Sequence, residues 1–313
     1  MGSILNWLIS LFSGIIGVPS SIDLELVAQV SRKNWKVSSV HALNDGAILL
    51  AVYDNASRKD AWLYVIKNDG STAQILKTSA ETYGYGDRVD DWIYVPAEHK
   101  NGHIVRVNVN SHSAEVLTLT QPQEYASRQI EGVAAYIPRG NSKSNILFDM
   151  TNGQVLPISF NGLDGIVTGI VKKDDEWILV GLDTKVQSSS GWQIQHPCTE
   201  AIELLGDVLI FARNGKVYKL DGDELGDEIA DTGSKPRRAV KIGRLVYWVT
   251  GYPDQIWVTN GKKSRKLHDF ENTAIDPDKN GSGFNISISV DEDELIIARS
   301  KDDNGYEVFR GSV

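Results

Sequence analysis

The sequence is poor in the residues that most often carry chemistry. Its 313 residues include one cysteine and two methionines, which excludes a disulfide framework and a thiolate metal cluster. It also contains no Gly-x-Ser-x-Gly nucleophile turn, no Gly-Lys-Ser/Thr phosphate-binding loop and no His-Glu-x-x-His metal pair. The isolated Cys198 is predicted to be a small buried apolar residue and not a nucleophile. These absences favour a protein that is not an enzyme and has no cofactor.

Basic residues are also fewer than acidic ones. The chain has 32 Lys and Arg against 41 Asp and Glu, a formal net charge of −9, so its surface as a whole should repel nucleic acid and anionic lipid. With 41% hydrophobic and 23% charged residues, the composition is that of an ordinary globular protein and not of a disordered or polytopic membrane protein. We therefore expect an acidic globular protein that does not bind nucleic acid.

A short apolar burst recurs along most of the chain. Each burst follows an acidic or glycine-containing turn, and seven of them occur at a mean interval of about 42 residues, close to the length of a four-stranded propeller blade. The bursts begin at Asp45, Asp91, Glu131, Glu176, Asp207, Arg244 and Glu294. An alternating segment rich in Val, Ile, Trp and Tyr follows each burst, which is typical of half-buried strands.

The two ends of this pattern complement each other. The seventh unit stops one strand short, whereas residues 24–30 form a spare strand upstream of the first unit. Pairing residues 24–30 with residues 306–310 would close a ring and leave no open sheet edge. We predict an all-β domain over residues 22–313, a single propeller of about seven four-stranded blades closed by this N-terminal strand. Six or eight blades are the alternatives, because the unit around residue 176 is short.

One unit carries a resemblance to a known superfamily. The run Asp91-Trp92-Ile93-Tyr94, followed by His103-Ile104-Val105-Arg106-Val107, resembles the blades of the broad β-propeller superfamily that includes TolB-like and YWTD-like repeats. The Gly-His to Trp-Asp pair of Trp-Asp-repeat propellers and the Ser-x-Asp-x-Gly-x-Thr-Trp box of sialidases are both missing. The resemblance therefore implies a shape and assigns no residue roles.

Residues 1–21 differ in kind from the rest. Between residues 3 and 17, apolar side chains recur at helical spacing, which predicts an amphipathic helix followed by a linker. We expect the apolar stripe to dock on protein; it consists of Ile4, Leu8, Leu11, Phe12 and Ile15. A signal or lipid anchor and a membrane-surface helix are the alternatives. No Lys or Arg precedes Arg32, which disfavours a standard signal peptide and favours an intracellular or virion-associated protein.

One loop has part of the pattern of a calcium site. Asp276, Asp278 and Asn280 place oxygen ligands at alternate positions before Gly281, as a tight calcium turn requires. The twelfth position is Ser287 and not the usual glutamate, so the bidentate carboxylate is missing. The loop is a candidate calcium site, and a polar rim loop without metal is the alternative.

Charge is distributed in blocks along the last third of the chain. Residues 200–231 carry a net −6, residues 235–268 a net +8 and residues 269–303 a net −7. The basic block predicts a strip that binds an acidic protein surface, including the acidic blade of a second copy. Its chief residues are Arg237, Arg238, Lys262, Lys263, Arg265 and Lys266. The alternative is that neighbouring blades simply pair their opposite charges.

These features favour a non-enzymatic structural or interaction scaffold, anchored in a larger assembly by its N-terminal helix. A phage or virus structural component, such as a tail or head-associated protein, would fit this description. The alternative is a ligand- or carbohydrate-binding propeller, or a propeller enzyme, with its site in the central channel. Four inner-strand polar residues are the candidates for such a site: His41, Arg88, Arg128 and Glu200.

Overall fold

The computed structural model describes most of the chain. The described residues are 17–57, 59–79, 82–83, 86–98, 103–118, 123–130, 133–138, 146–152, 154–160, 167–181, 185–270, 286–301 and 305–313. All regular secondary structure in these ranges is β-strand, which confirms the all-β prediction. The docking helix predicted over residues 3–17 lies, apart from Gly17, outside the described residues, as does its whole apolar stripe.

The described strands form seven antiparallel sheets, which we number as blades 1 to 7 along the chain. Strand β1 (Asp23–Ser31) precedes blade 1. Blade 1 contains β2 (Trp35–Ala42), β3 (Ile48–Asp54), β4 (Ala61–Ile66) and β5 (Thr72–Thr78). Blade 2 contains β6 (Thr82–Tyr83), β7 (Asp87–Val89), β8 (Trp92–Glu98), β9 (His103–Asn108) and β10 (Ala114–Thr118). Blade 3 contains β11 (Gln123–Ile130), β12 (Val133–Pro138), β13 (Ile146–Asp149) and β14 (Gln154–Ser159).

The remaining blades continue this meander. Blade 4 contains β15 (Val167–Lys173), β16 (Glu176–Gly181), β17 (Val186–Ser188) and β18 (Gln193–Ile194). Blade 5 contains β19 (Cys198–Leu204), β20 (Asp207–Ala212), β21 (Lys216–Asp221) and β22 (Glu224–Asp231). Blade 6 contains β23 (Lys235–Ile242), β24 (Leu245–Gly251), β25 (Gln255–Thr259) and β26 (Ser264–Asp269). Blade 7 contains β27 (Ile286–Asp291), β28 (Glu294–Ser300) and β29 (Gly305–Ser312), with β1 as its outer strand.

The pairing of β1 with β29 closes the ring. Leu24 lies opposite Gly311 and Val30 lies opposite Tyr306, in an antiparallel register with one bulge. The predicted closure by residues 24–30 is therefore confirmed. The ends of the chain are joined by backbone hydrogen bonds, so β29 does not remain an open edge that could pair with another chain.

Contacts between consecutive blades run around a central axis. The inner strand β2 of blade 1 contacts β27 of blade 7 as well as β6 of blade 2, and the inner strands β11, β15, β19, β23 and β27 each contact the next. Apolar side chains fill the spaces between blades: Val40 and Leu50 of blade 1, for example, belong to one buried cluster with Ile296 and Val308 of blade 7. The structure is a closed propeller whose core lies between its blades.

Several inner strands carry a β-bulge near their first residues. The register shifts between Val37 and Ser39 in β2, between Cys198 and Glu200 in β19 and between Pro236 and Arg238 in β23. Bulges re-aim the side chains that follow them. The residues after the bulges, Ser39, Glu200 and Arg238, are all buried, so polar side chains occupy equivalent positions near the axis.

Candidate functional site

Three blades meet at the Arg238 side chain. Arg238 lies on the inner strand of blade 6, and its Nη2 donates a hydrogen bond to the carbonyl oxygen of Gly86 in blade 2 at 3.2 Å. Blades 6 and 2 are not neighbours in the ring, so the guanidinium must reach across the axial region. His41 of blade 1 lies at the same place, because a Cβ built on Gly86 would fall 2.5 Å from His41 Nε2. Glycine at position 86 is what permits this close approach.

The surroundings of His41 keep its imidazole neutral. Burial, together with the nearby positive charge of Arg238, lowers the pKa of His41 from 6.5 to about 3. Its side chain is only 7% exposed, and no hydrogen-bond partner for Nε2 is found within the described part of the chain. The same holds for Ser39 Oγ, two residues earlier on β2. The axial region therefore holds a positive charge near His41, and the described residues leave His41 Nε2 and Ser39 Oγ without a partner.

The four residues predicted to form a site in the central channel do not all lie together. His41 lies beside Arg238, whereas Glu200 is fully buried on the neighbouring inner strand and its Oε1 accepts the Ala201 amide hydrogen at 2.9 Å. Arg88 is exposed and donates to Asn44 Oδ1 at 2.8 Å. The side chain of Arg128 lies outside the described residues. Only two of the four, His41 and Glu200, are shown to be buried on inner strands.

A second buried charge cluster joins blades 6 and 7. Arg299 donates through Nε and Nη2 to Glu307 Oε2 at 3.0 and 2.9 Å, and its Nη1 lies 3.8 Å from Asp254 Oδ2. Burial raises the pKa of Asp254 to about 6, although the charges of Arg299 and Arg237 oppose this shift. Because all four side chains are more than nine-tenths buried, the cluster connects blades within the ring and offers no surface to a partner.

The predicted basic strip is divided by the fold into two separate groups. Arg237 and Arg238 lie on the inner strand β23 and are 6% and 8% exposed. The other four residues are exposed at the outer rim of blade 6, in and after the turn between β25 and β26: Lys262, Lys263, Arg265 and Lys266. We call these four the basic rim residues. The separation arises because blade 6 places its first strand at the axis and its last strand at the periphery.

Some charges do pair between neighbouring blades. Lys241 of blade 6 donates to Glu203 of blade 5 at 2.6 Å. The outer strands of these blades also meet, since Ser264 Oγ donates to the Ile229 carbonyl oxygen at 2.7 Å. Among the basic rim residues, Lys266 pairs with Asp269 of its own strand. Inter-blade pairing therefore accounts for part of the basic block.

The sequence patterns did not single out Gly86, Ser39, Asp254 or Arg299 as site residues. Some of the axial positions nevertheless have a recognisable spacing in the sequence. Ser39 and Arg238 each stand six residues before the start of an apolar burst, and Glu200 stands seven residues before one. The same offset holds the apolar residues Ile170 and Ile288 in blades 4 and 7, so the pattern marks a polar axial position in only some of the blades.

Cys198 is buried without any exposed surface, as predicted. Burial raises the pKa of its thiol to about 12. The thiolate fraction at pH 8 should then be about a thousandfold lower than for an ordinary protein thiol of pKa near 9. We expect the folded protein to resist a disulfide exchange reagent such as DTNB, whereas the denatured chain should react at one thiol. Equal rates in the two states would contradict this assignment.

The described residues were also compared with the requirements of a metal site and of a membrane-spanning helix. The candidate calcium residues Asp276, Asp278 and Asn280 lie outside the described residues. Among the residues that are described, no group of three or more His, Cys, Asp or Glu side chains could hold a metal ion. No helix in those ranges is long and apolar enough to cross a membrane.

Comparisons with known proteins find relatives by fold and not by sequence. No family and no curated protein matches the chain. The structure is similar to a chain in the crystal structure of a mitotic checkpoint complex, with 13% identity and a TM-score of 0.64 over 95% of this chain and 93% of that one. It is also similar to the computationally designed Ika8 protein, with 10% identity and a TM-score of 0.56 over 91% and 99% of the two chains. The chain is thus a β-propeller.

Proposed function

We propose that this protein is a non-enzymatic interaction scaffold that binds an acidic protein surface through its basic rim residues. The observation that carries the proposal is the exposure of Lys262, Lys263, Arg265 and Lys266 together on the periphery of blade 6. Basic side chains that project from a rigid ring attract a negatively charged partner and orient it. The similarity to a chain of a mitotic checkpoint complex is consistent with a role in protein assembly.

The turn that carries these charges is held in place by hydrogen bonds. The amide groups of Lys262 and Lys263 both donate to Asn260 Oδ1, at 3.0 and 2.9 Å. Thr259 Oγ1 donates to the Lys263 carbonyl oxygen at 2.9 Å. A preorganised turn loses less conformational entropy when a partner binds. The structure of the turn therefore favours recognition by this edge of the blade.

The neighbouring outer strand favours a protein partner over nucleic acid. Strand β22 of blade 5 exposes Glu224, Asp227, Glu228 and Asp231 beside the basic rim residues. Exposed charges interact over roughly a Debye length, about 8 Å at physiological salt, so a polyanionic backbone would be repelled by this strand. A patterned protein surface can place acidic groups on the rim and avoid β22. A second copy of this chain, with its own acidic β22, is one such surface.

Charge reversal tests the proposal. The variant Lys262→Glu/Lys263→Glu/Arg265→Glu should bind a polyglutamate peptide at least about tenfold more weakly than the wild type at low salt, because each exposed pair contributes about 0.2–1 kcal/mol. Sedimentation velocity on the same samples would report self-association. Wild-type binding should weaken as salt is raised from about 50 to 500 mM.

A matched control variant distinguishes an effect of the basic rim residues from an effect of the overall net charge. Lys33→Glu/Lys59→Glu/Lys67→Glu reverses three exposed lysines on or beside blade 1 and changes the net charge by the same amount. It should retain most of the binding. Equal loss in both variants, or no loss in either, would assign the basic rim residues to solvated surface.

Anchoring by the N-terminal helix and a phage or virus structural role remain predictions: both are compatible with a scaffold, and the fold does not bear on either. The alternative of a channel enzyme has no further support, whereas the polar atoms near the axis point to ligand binding there.

A further inference from the structure

We infer that the axial region binds a small oxyanion, held by Arg238, His41 and Ser39. These three residues and the Gly86 carbonyl oxygen define what we call the axial site. It would take a carboxylate or a phosphate, because those groups match a guanidinium together with neutral hydrogen-bond donors. The inference does not depend on the basic rim residues, which lie in and after the turn that leads into the outermost strand of blade 6.

The geometry of Arg238 supports a ligand and not only a structural role. Its Nη2 donates to a neutral carbonyl group in a blade across the axis, which places the guanidinium near the axis. A guanidinium presents five N–H donors in a fork that suits planar oxyanions. Arg238 retains 8% of its surface and His41 retains 7%, although the polar atom His41 Nε2 is itself fully buried.

His41 and Ser39 add donors on the adjacent blade. They stand two residues apart on β2 and therefore on one side of that strand. The neutral imidazole can donate from Nε2 if its other nitrogen is unprotonated, and the Ser39 hydroxyl can donate in any rotamer. Both atoms are buried and have no hydrogen-bond partner among the described residues. Buried polar atoms without partners are uncommon, and a bound ligand is one explanation for them.

Glu200 provides a test of whether the proposed ligand is an anion. It is the acidic side chain at the equivalent position of the neighbouring inner strand and is fully buried. A carboxylate at this level opposes an anionic ligand. Replacing Glu200 with glutamine should therefore strengthen binding, whereas replacing Arg238 with glutamine should weaken it. A merely structural role for these residues would not predict opposite effects.

The experiment uses the full chain with inorganic phosphate and, separately, acetate as probes. Binding is measured by calorimetry and by NMR of the His41 ring signals, assigned with His41→Gln. We expect saturable shifts of those signals, with an upward change in the pKa of His41 as the anion binds. Arg238→Gln should weaken binding at least about tenfold, as the loss of a charged hydrogen bond predicts.

Two further variants keep the result interpretable. Lys67→Gln removes an exposed charge on blade 1 and should leave the affinity unchanged. If Arg238→Gln does not fold, Ser39→Ala, which deletes one oxygen atom, should still weaken binding about three- to tenfold. The inference is overturned if neither anion shifts the His41 signals in the wild type, or if Ser39→Ala and any folded Arg238→Gln bind as the wild type does.

Discussion

Replacing Gly305 with alanine should destabilise the closed ring by about 3–5 kcal/mol. Gly305 begins β29 with a φ of +115°, a backbone conformation that residues with a side chain rarely adopt. A Cβ at this position would fall 1.8 Å from the carbonyl oxygen of Val30 on β1. The alanine can be accommodated only if β1 moves away from β29, which removes the pairing that joins the chain ends. Chemical denaturation at neutral pH measures the loss.

Gly206→Ala is the matched control for this prediction. Gly206 also has a positive φ, +87°, but nothing lies within 4 Å of a Cβ built there. Its substitution should therefore cost only about 1 kcal/mol of backbone strain. If both alanine variants lost the same small amount, the contact between Gly305 and Val30 would not be what holds the closing strand.

The second large effect is a loss of stability in mild acid caused by His41. In the folded protein the pKa of this imidazole is lowered to about 3 from 6.5. The contribution of the neutral His41 imidazole to the free energy of unfolding is thus complete above pH 6.5, and it disappears as the pH falls toward 3. A shift of this size corresponds to about 4–5 kcal/mol once both states are protonated. Denaturation of the wild type and of His41→Gln, measured at intervals from pH 7.5 to pH 4, should show the free energy of unfolding of the wild type falling relative to that of the variant.

The variant His41→Gln should lack this acid-dependent loss, because it removes the proton that the unfolded chain takes up. His196→Gln, which removes a half-buried imidazole from the loop that leads into blade 5, should leave the slope in place. Asp254 acts in the opposite direction: with its pKa raised to about 6, it favours the folded state most at low pH and loses that contribution as pH rises toward 6. Because Asp254 gains about as much stability between pH 6 and 4 as His41 loses, the wild-type profile alone does not isolate His41. Wild-type and His41→Gln profiles that ran parallel between pH 6.5 and 4 would contradict the burial of a neutral His41.

Strand positions and ring closure could be predicted because their signals are local. Alternating Val, Ile, Trp and Tyr residues determine which segments become strands, and the missing last strand at one end matched the spare strand before Trp35 at the other. The buried state of Cys198 was predicted in the same way, from residue type. The contacts of Arg238 could not be predicted, because Gly86 is 152 residues away and no local pattern connects them.

The basic block over residues 235–268 illustrates most clearly what could not be predicted from the sequence. Its nine basic residues over residues 235–268 are visible in the sequence, and so is their contrast with the acidic blocks on either side. Sequence proximity made them look like one strip. Within a blade, however, consecutive strands step outward from the axis, so Arg237 and Lys262 end at opposite sides of the same sheet.

The amino-acid sequence by itself determined the strand repeat, the all-β class, the acidic net charge and the strand that closes the ring, because each depends on periodicity, composition or the order of segments. The tertiary structure alone decided which polar residues meet at the axis and which basic residues face solvent. Those outcomes depend on the curvature of the ring, which brings non-neighbouring blades to a common centre, and on burial, which gives His41 and Asp254 proton affinities far from their ordinary values.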